Sequence, residues 1–191
     1  DGFRPNSEFE SINTFQNFNY NLNEKSKITG EITYMEYLAH QAGGLSDFMF
    51  ANDPFQSNRE RNWFEIKWFL YNLKYLLEIS EDSSFSFSFF GLDAARNSLG
   101  FRTNRVDQID YGEERDLIKG DFKNYGFESR YVTGFNFLNK KSYLLLGAKY
   151  YNSYSQSIQG PGSNSKDADF NFDYINFPNY VNQSEYIYPN N

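Results

Sequence analysis

Along most of this chain apolar and polar side chains alternate with a period of two, the spacing of a strand whose faces meet different surroundings. From Glu8 to Leu22, Ile12, Thr14, Phe18, Tyr20 and Leu22 fall on one face, and Asn13, Asn17, Asn19 and Asn21 on the other. Lys27 to Tyr37 sets Ile28, Ile32 and Tyr34 against Thr29, Glu31 and Thr33. Trp63 to Ile79 opens with Phe64, Ile66, Trp68 and Leu70 opposite Glu65 and Lys67, and its neighbour alternates Phe85, Phe87 and Phe89 with Ser84, Ser86 and Ser88. A third pair of runs covers Tyr125 to Leu138 and Ser142 to Gln156, with Phe127, Tyr131, Phe135 and Phe137 facing away from Glu128 and Arg130.

Three short polar turns join these runs in pairs, at Asn23-Glu24-Lys25-Ser26, Ser80-Glu81-Asp82-Ser83 and Asn139-Lys140-Lys141. Long segments rich in Gly, Asn and Asp separate the pairs: Leu38 to Asn62, Asp93 to Asn124 and Ser157 to Gln183. Connections this long are usually functional rather than merely structural. Short turn alternating with long loop is the pattern of an outer-membrane β-barrel, with turns on the periplasmic side and loops outside. The prediction is an all-β, antiparallel membrane-barrel segment of about six strands in three hairpins, with a seventh strand beginning near Glu185. The rival is a soluble antiparallel sheet whose aromatic face packs a core, but such sandwiches carry turn signals every 8–12 residues or so.

Composition sharpens this reading. Aromatic residues make up 20% of the 191 positions, and mean hydropathy is −0.73. A barrel strand shows only alternate residues to lipid, so its averaged signal is weak. Lys and Arg total 18 against 25 Asp and Glu, a net charge of −7, which argues against nucleic acid as a partner. There is no cysteine and only one histidine, His40, so thiolate sites, multi-histidine metal sites and the common nucleophile–base pairs are not available. No catalytic constellation is found, and no enzymatic activity or resident cofactor is expected. The start, Asp1-Gly2-Phe3-Arg4-Pro5, has no charged and apolar leader. All 191 residues are therefore read as one partial barrel domain cut from a longer or processed protein.

The candidate chemistry lies in the predicted loops. Arg59, Arg61, Arg96, Arg102, Arg105 and Arg115 all fall there, and guanidinium groups grip carboxylate or phosphate bidentately. With Gln159 and Asn164 they form the candidate ligand-binding set. Asp107, Asp110, Glu113, Glu114 and Asp116 stand among them as competing partners. Asp167, Asp169, Asn171 and Asp173 space oxygen ligands as a calcium loop begins, but the glycine and glutamate such a loop then requires are Phe172 and Pro178. Gly160-Pro161-Gly162 reads as a rigid loop tip, and Asn182-Gln183-Ser184 matches a glycosylation sequon by chance.

The stretches Asp1-Gly-Phe-Arg-Pro-Asn6, Gln41-Ala-Gly-Gly-Leu45, Gln56-Ser-Asn-Arg-Glu-Arg-Asn-Trp63 and Phe90-Gly-Leu92 resemble TonB-dependent outer-membrane receptors of the ferric-dicitrate-receptor type. So do Gly100-Phe-Arg-Thr-Asn-Arg105, Glu114-Arg-Asp-Leu117, Gln159-Gly-Pro-Gly-Ser-Asn164 and Phe177-Pro-Asn-Tyr180, in the form found in Bacteroidota. The resemblance runs collinearly over the whole chain. It implies a 22-stranded barrel, an amino-terminal plug in the lumen, energy delivered by the TonB–ExbB–ExbD complex, and an iron chelate as cargo. The plug and the remaining strands are absent from this sequence.

On this reading Phe64, Trp68, Phe85, Phe87, Phe89, Tyr131 and Phe135 face lipid, and Glu65, Lys67, Glu128 and Arg130 face the lumen. Partners are outer-membrane lipid, the remaining strands and the energising complex. The alternatives are an importer of another cargo (a glycan, a peptide, a cobalamin or copper) and a surface assembly in which the barrel docks lipoproteins.

Overall fold

The computed structural model describes residues 2–180 with their side chains and the backbone of 183–188; Asp1 and the sequon residue Asn182 lie outside the described residues. Three hairpins of growing height form one sheet: β1 (Phe9–Asn23) with β2 (Ser26–His40), β3 (Trp63–Ser80) with β4 (Ser83–Gly100), and β5 (Asp116–Phe137) with β6 (Lys140–Pro161). A short β7 (Gln183–Tyr188) adds to β6, where the sequence places a seventh strand. The order β1-β2-β3-β4-β5-β6-β7 is the chain order, every pairing is antiparallel, and the sheet is not closed on itself. The one helix among the described residues, α1 (Asp47–Asn52), lies in the loop after β2 and is capped by the Ser46 hydroxyl accepting from the Met49 amide.

The first two tight turns sit where predicted, and the third closes slightly earlier, at Leu138 and Asn139, with Lys140 and Lys141 already paired on β6. In the third, Leu138 and Asn139 have φ of 49° and 60°, the left-handed pair of a type I′ turn whose twist matches its flanking strands. The long connections are shorter than predicted, because the strands run on beyond the aromatic runs. β4 continues to Gly100 and β5 begins at Asp116, so Arg96 stands on a strand, and Gln159 lies on β6. β5 and β6 have 22 residues each. That is about 70 Å at ~3.3 Å per residue, roughly twice the 9–11 residues a tilted membrane strand needs.

Register divides the side chains into two faces, since directly paired residues share a side. One is the aromatic face. Phe85, Phe87 and Phe89 pair with Leu77, Tyr75 and Leu73 on β3 and with Tyr131, Ser129 and Phe127 on β5. Rings stack along it, with centroids of Phe127 and Tyr150 5.2 Å apart and of Phe87 and Phe127 6.0 Å apart. The other is the serine face: Ser84, Ser86 and Ser88 pair with Val132, Arg130 and Glu128. Phe87, Phe127 and Leu146 are 38%, 41% and 57% exposed, so among the described residues no second layer covers the band. A sandwich would pack two such faces together; this sheet is a single layer.

Two glycines on this face are set by their neighbours. A Cβ on Gly30 would lie 2.0 Å from the ring of its partner Phe18, and one on Gly91 would lie 2.2 Å from the hydroxyl of its partner Tyr71. Each ring lies over the bare backbone of the next strand.

One predicted orientation is reversed. Phe64, Ile66, Trp68 and Leu70 pair with Ser98, Arg96, Ala94 and Leu92 on the serine face, while Glu65 and Lys67 share the aromatic face with Phe87. Phe64 and Trp68 therefore do not join Phe85, Phe87, Phe89, Tyr131 and Phe135, and Glu65 and Lys67 do not join Glu128 and Arg130. The cause lies in the pattern itself. Apolar residues occupy even positions up to Leu70 and odd positions from Phe69 to Leu77, while the pairing runs unbroken from Trp63 to Glu78. Toward the loops, then, the aromatic face turns charged and the serine face turns apolar.

Gly30→Ala should lower the thermal midpoint of the folded protein in detergent, at a cost of about 1–3 kcal/mol for overpacking. Adding Phe18→Ala should recover most of that loss, and a double variant no better than Gly30→Ala alone would mean that the ring does not set the glycine.

Candidate ligand-binding site

The loop-side ends of the strands carry the candidate arginines, which fall into two groups. Arg59, Arg61 and Arg115 are buried, at 4%, 4% and 0% exposure. Arg115, immediately before β5, uses all five of its N–H donors. Nε donates to the Ser163 carbonyl at 2.8 Å, Nη1 to the carbonyls of Arg61 and Asp167, and Nη2 to the hydroxyls of Ser163 and Ser165. Arg61 forks onto both carboxylate oxygens of Asp110, Nε to Oδ2 at 2.8 Å, and donates from Nη1 to the carbonyls of Glu113 and Asn164. Arg59 donates to the carbonyls of Asn58, Gln108 and Val106, and its guanidinium lies 5.2 Å from the Phe101 ring centroid.

These three side chains tie segments 41–62, 101–115 and 162–180 into one cap. A buried guanidinium keeps its charge, so it must find this many acceptors, and loop carbonyls supply them. Burial pulls Arg59 and Arg115 below the ordinary arginine value; Arg61 adds to this at Arg115, and nearby acids partly offset it at both. Burial pushes Asp110 up, but the hydrogen bonds from Arg61 and the Gly112 amide, with the charges of Arg61 and Arg59, outweigh it and hold the carboxyl below its usual range.

The cap leans against the aromatic face. Lys119 Nζ and Trp63 Nε1, both on that face, donate to the carbonyls of Phe170 and Lys166. A Cβ on Gly160 would meet the rings of Tyr180 and Phe172 at 3.0 and 3.1 Å, and Leu99 and Leu117 are enclosed beside it. Asn164 enters the cap through its backbone, and Gln159 lies half-buried on the serine face.

Two residues that sequence reasoning passed over also serve the cap. Arg4 donates to the carbonyls of Ala42, Gly43 and Gln56. His40 stacks on Trp63 at 4.0 Å, with its ring nitrogens 2.7 Å from a Glu8 carboxylate oxygen and from the Glu60 carbonyl. Neither carries a local signal, because the contact of interest is with a carbonyl or a residue distant in sequence.

Arg96, Arg102 and Arg105 are exposed. Arg105 lies 3.4 Å from Asp107, both open to solvent. The side chains of Arg96 and Arg102 make neither a hydrogen bond nor an ion pair among the described residues. They line a hollow of about 380 Å³ with Ser98, Ile118, Phe122 and Ser157, on the serine face. The Arg96 guanidinium sits 5.4 Å from the Phe64 ring centroid.

The calcium reading finds no geometry here. Asp167 contributes its carbonyl to Arg115, Asn171 bonds Asp169, and Asp173 accepts from the amide and side chain of Asn176. Among the described residues no three His, Cys, Asp or Glu side chains converge to hold a metal ion.

No protein-family model matches this chain, and no curated protein sequence matches it. Its structure is similar to the crystal structure of the ferric citrate transporter FecA in the unliganded form, with a TM-score of 0.73 at 18% identity, over 87% of this chain and 24% of that one. At that identity the likeness is one of fold: the antiparallel sheet has the fold of part of that transporter's β-barrel, and the chain spans about a quarter of that transporter's length.

The Arg61–Asp110 pair predicts how the cap responds to acid. Because folding lowers the Asp110 pKa, its contribution is complete above the unfolded carboxylate value and is lost as pH falls through the lower, folded one. With no native cysteine in the chain, a spin label at Tyr111→Cys should be immobilised at neutral pH and become mobile below about pH 4, near the reference carboxylate value. Adding Asp110→Asn should make it mobile throughout. An immobile label in that variant at neutral pH would show that the pair does not hold the loop.

Proposed function

We propose that this chain is a stretch of barrel wall, with its external loops, from a TonB-dependent outer-membrane importer of an iron chelate. The observation that carries the reading is the single-layer sheet: one uncovered aromatic face, one polar face, and the fold of a known transporter wall. Rings of Phe87, Phe127 and Tyr150 meet hydrocarbon, and above them Glu65, Lys67, Asp93 and Lys123 rise past the membrane boundary on the same face. Ser86, Ser88, Glu128 and Arg130 line the lumen against a plug domain.

Among the described residues β1 pairs only with β2 and is exposed along its whole length, an edge that further strands would pair in a complete wall. Hydrocarbon tolerates strands only in a closed barrel, where every backbone group is paired. The importer works without chemical turnover. Cargo enters from the loop side, the plug rearranges, and TonB–ExbB–ExbD supplies the energy. Arg96 and Arg102, the uncommitted cations above the lumen, suit a cargo that presents carboxylate or other anionic oxygens.

In cells lacking the native gene, the protein should restore uptake of radioactive iron from a chelate in a TonB-dependent way. Outer-membrane residence with uptake independent of TonB would overturn the reading. Phe87→Arg should abolish surface display, since a cation on the lipid face near the midplane costs about 2–4 kcal/mol. Ser88→Arg, one residue away and opposite Glu128, should be displayed normally.

A further inference from the structure

The loop half of the serine face combines features that neither a lipid surface nor a purely polar lumen requires. Trp68 and Leu70 remain 42% and 37% exposed there, beside Phe90, Leu92 and Phe122. Two hollows follow one another along β4. The lower, of about 420 Å³, is walled by Phe15, Leu70, Phe90 and Leu92. The upper, of about 380 Å³, is walled by Phe122 and Ile118 and rimmed by Arg96 and Arg102. Each is within the range of small-molecule sites. The floor is low because Ala94 and Gly120 carry little side chain; a Cβ on Gly120 would already press the Phe122 ring at 3.1 Å.

The cap does not cover these hollows, because its anchoring contacts fall on the other face. The acids on the serine face do not neutralise the two cations. Glu31 accepts from Asn17 and Asn72, Glu128 pairs with Arg130, and Asp116 makes no ion pair among the described residues.

We infer that this surface is a binding site for an aromatic anionic chelate, one that lays an arene against Trp68 and Phe122 and directs carboxylate or catecholate oxygens to Arg96 and Arg102. This deepens the importer reading and rests on it for the side from which cargo arrives. A small aliphatic polycarboxylate would use the arginines and leave the aromatic floor uncovered. An arene fills it, with apolar area removed from water and ring stacking added. Guanidinium groups held near rings also favour planar, delocalised anions over compact ones.

The test uses the whole protein extracted from outer membranes and two probes, ferric 2,3-dihydroxybenzoate and ferric citrate, titrated by calorimetry. The dihydroxybenzoate chelate should bind the wild type more tightly. Its Kd should rise about tenfold or more in Arg96→Gln and in Arg102→Gln, the scale of a lost charge-assisted hydrogen bond, and about fivefold in Trp68→Ala, the scale of a lost aromatic contact. Phe48→Ala, an exposed change on α1, should leave it unmoved.

Where a truncated variant fails the heat-modifiable gel shift of a folded barrel, Arg96→Lys and Trp68→Phe replace it. The first should still weaken binding, since charge remains without the fork, and the second should keep it. Tighter binding of ferric citrate, or a Trp68→Ala variant indistinguishable from wild type, overturns the aromatic site while leaving TonB-dependent uptake intact. Equal binding by all the arginine variants overturns it as well. Loss of TonB dependence or of outer-membrane residence instead removes the importer reading, so the two failures are separable.

Discussion

Everything in this structure depends on an unbroken antiparallel ladder. With a single layer there is no opposing sheet to hold a strand in place, so the neighbouring strand supplies backbone pairing, register and face assignment together. The pairing from Trp63 to Glu78 against β4, and along the full 22 residues of β5 against β6, leaves every side chain assigned to one of two sides. A slip of one residue would exchange Phe87 with Ser86 and transfer the whole apolar set. The tight turns prevent that by fixing where each hairpin starts.

The two faces change character at about the same height. Near the turns the contrast is between rings and serines. Near the loops it is between charged residues on one side and an apolar shelf on the other. On the proposed reading a lipid-facing wall accounts for the first contrast but not the second, since a strand rising above a membrane would have water on its outer side. There the aromatic face can carry Glu65, Lys67, Asp93 and Lys123. The serine face gathers Trp68, Phe90 and Phe122 instead. The cap reinforces this division by folding against the charged side and leaving the shelf open.

The hairpins, their turns and the single-layer character were legible from the sequence because period-two alternation and tight-turn residues are local signals. Strand ends were not. From Gly91 to Gly100 β4 carries Asp93, Ala94, Ala95, Arg96 and Asn97, residues that favour loops or helices, and tertiary pairing with β5 overrides that preference. The phase change in β3 was hidden because Leu70 and Phe69 are both apolar, so either phase reads as one continued stripe. The candidate arginines were found by type, but their fates were not readable. Arg96 and Arg115 are the same residue type, and what separates them is which carbonyls the distant segment 162–180 brings within reach.

The clamp at Arg115 has a consequence for how such a surface can diversify. Three of its five acceptors are backbone carbonyls, as are all those of Arg59 and Arg4. A carbonyl is present whatever residue occupies the position. Substitutions can therefore accumulate at most sites in these segments without dismantling their shape, so the cap's sequence can drift while its architecture persists.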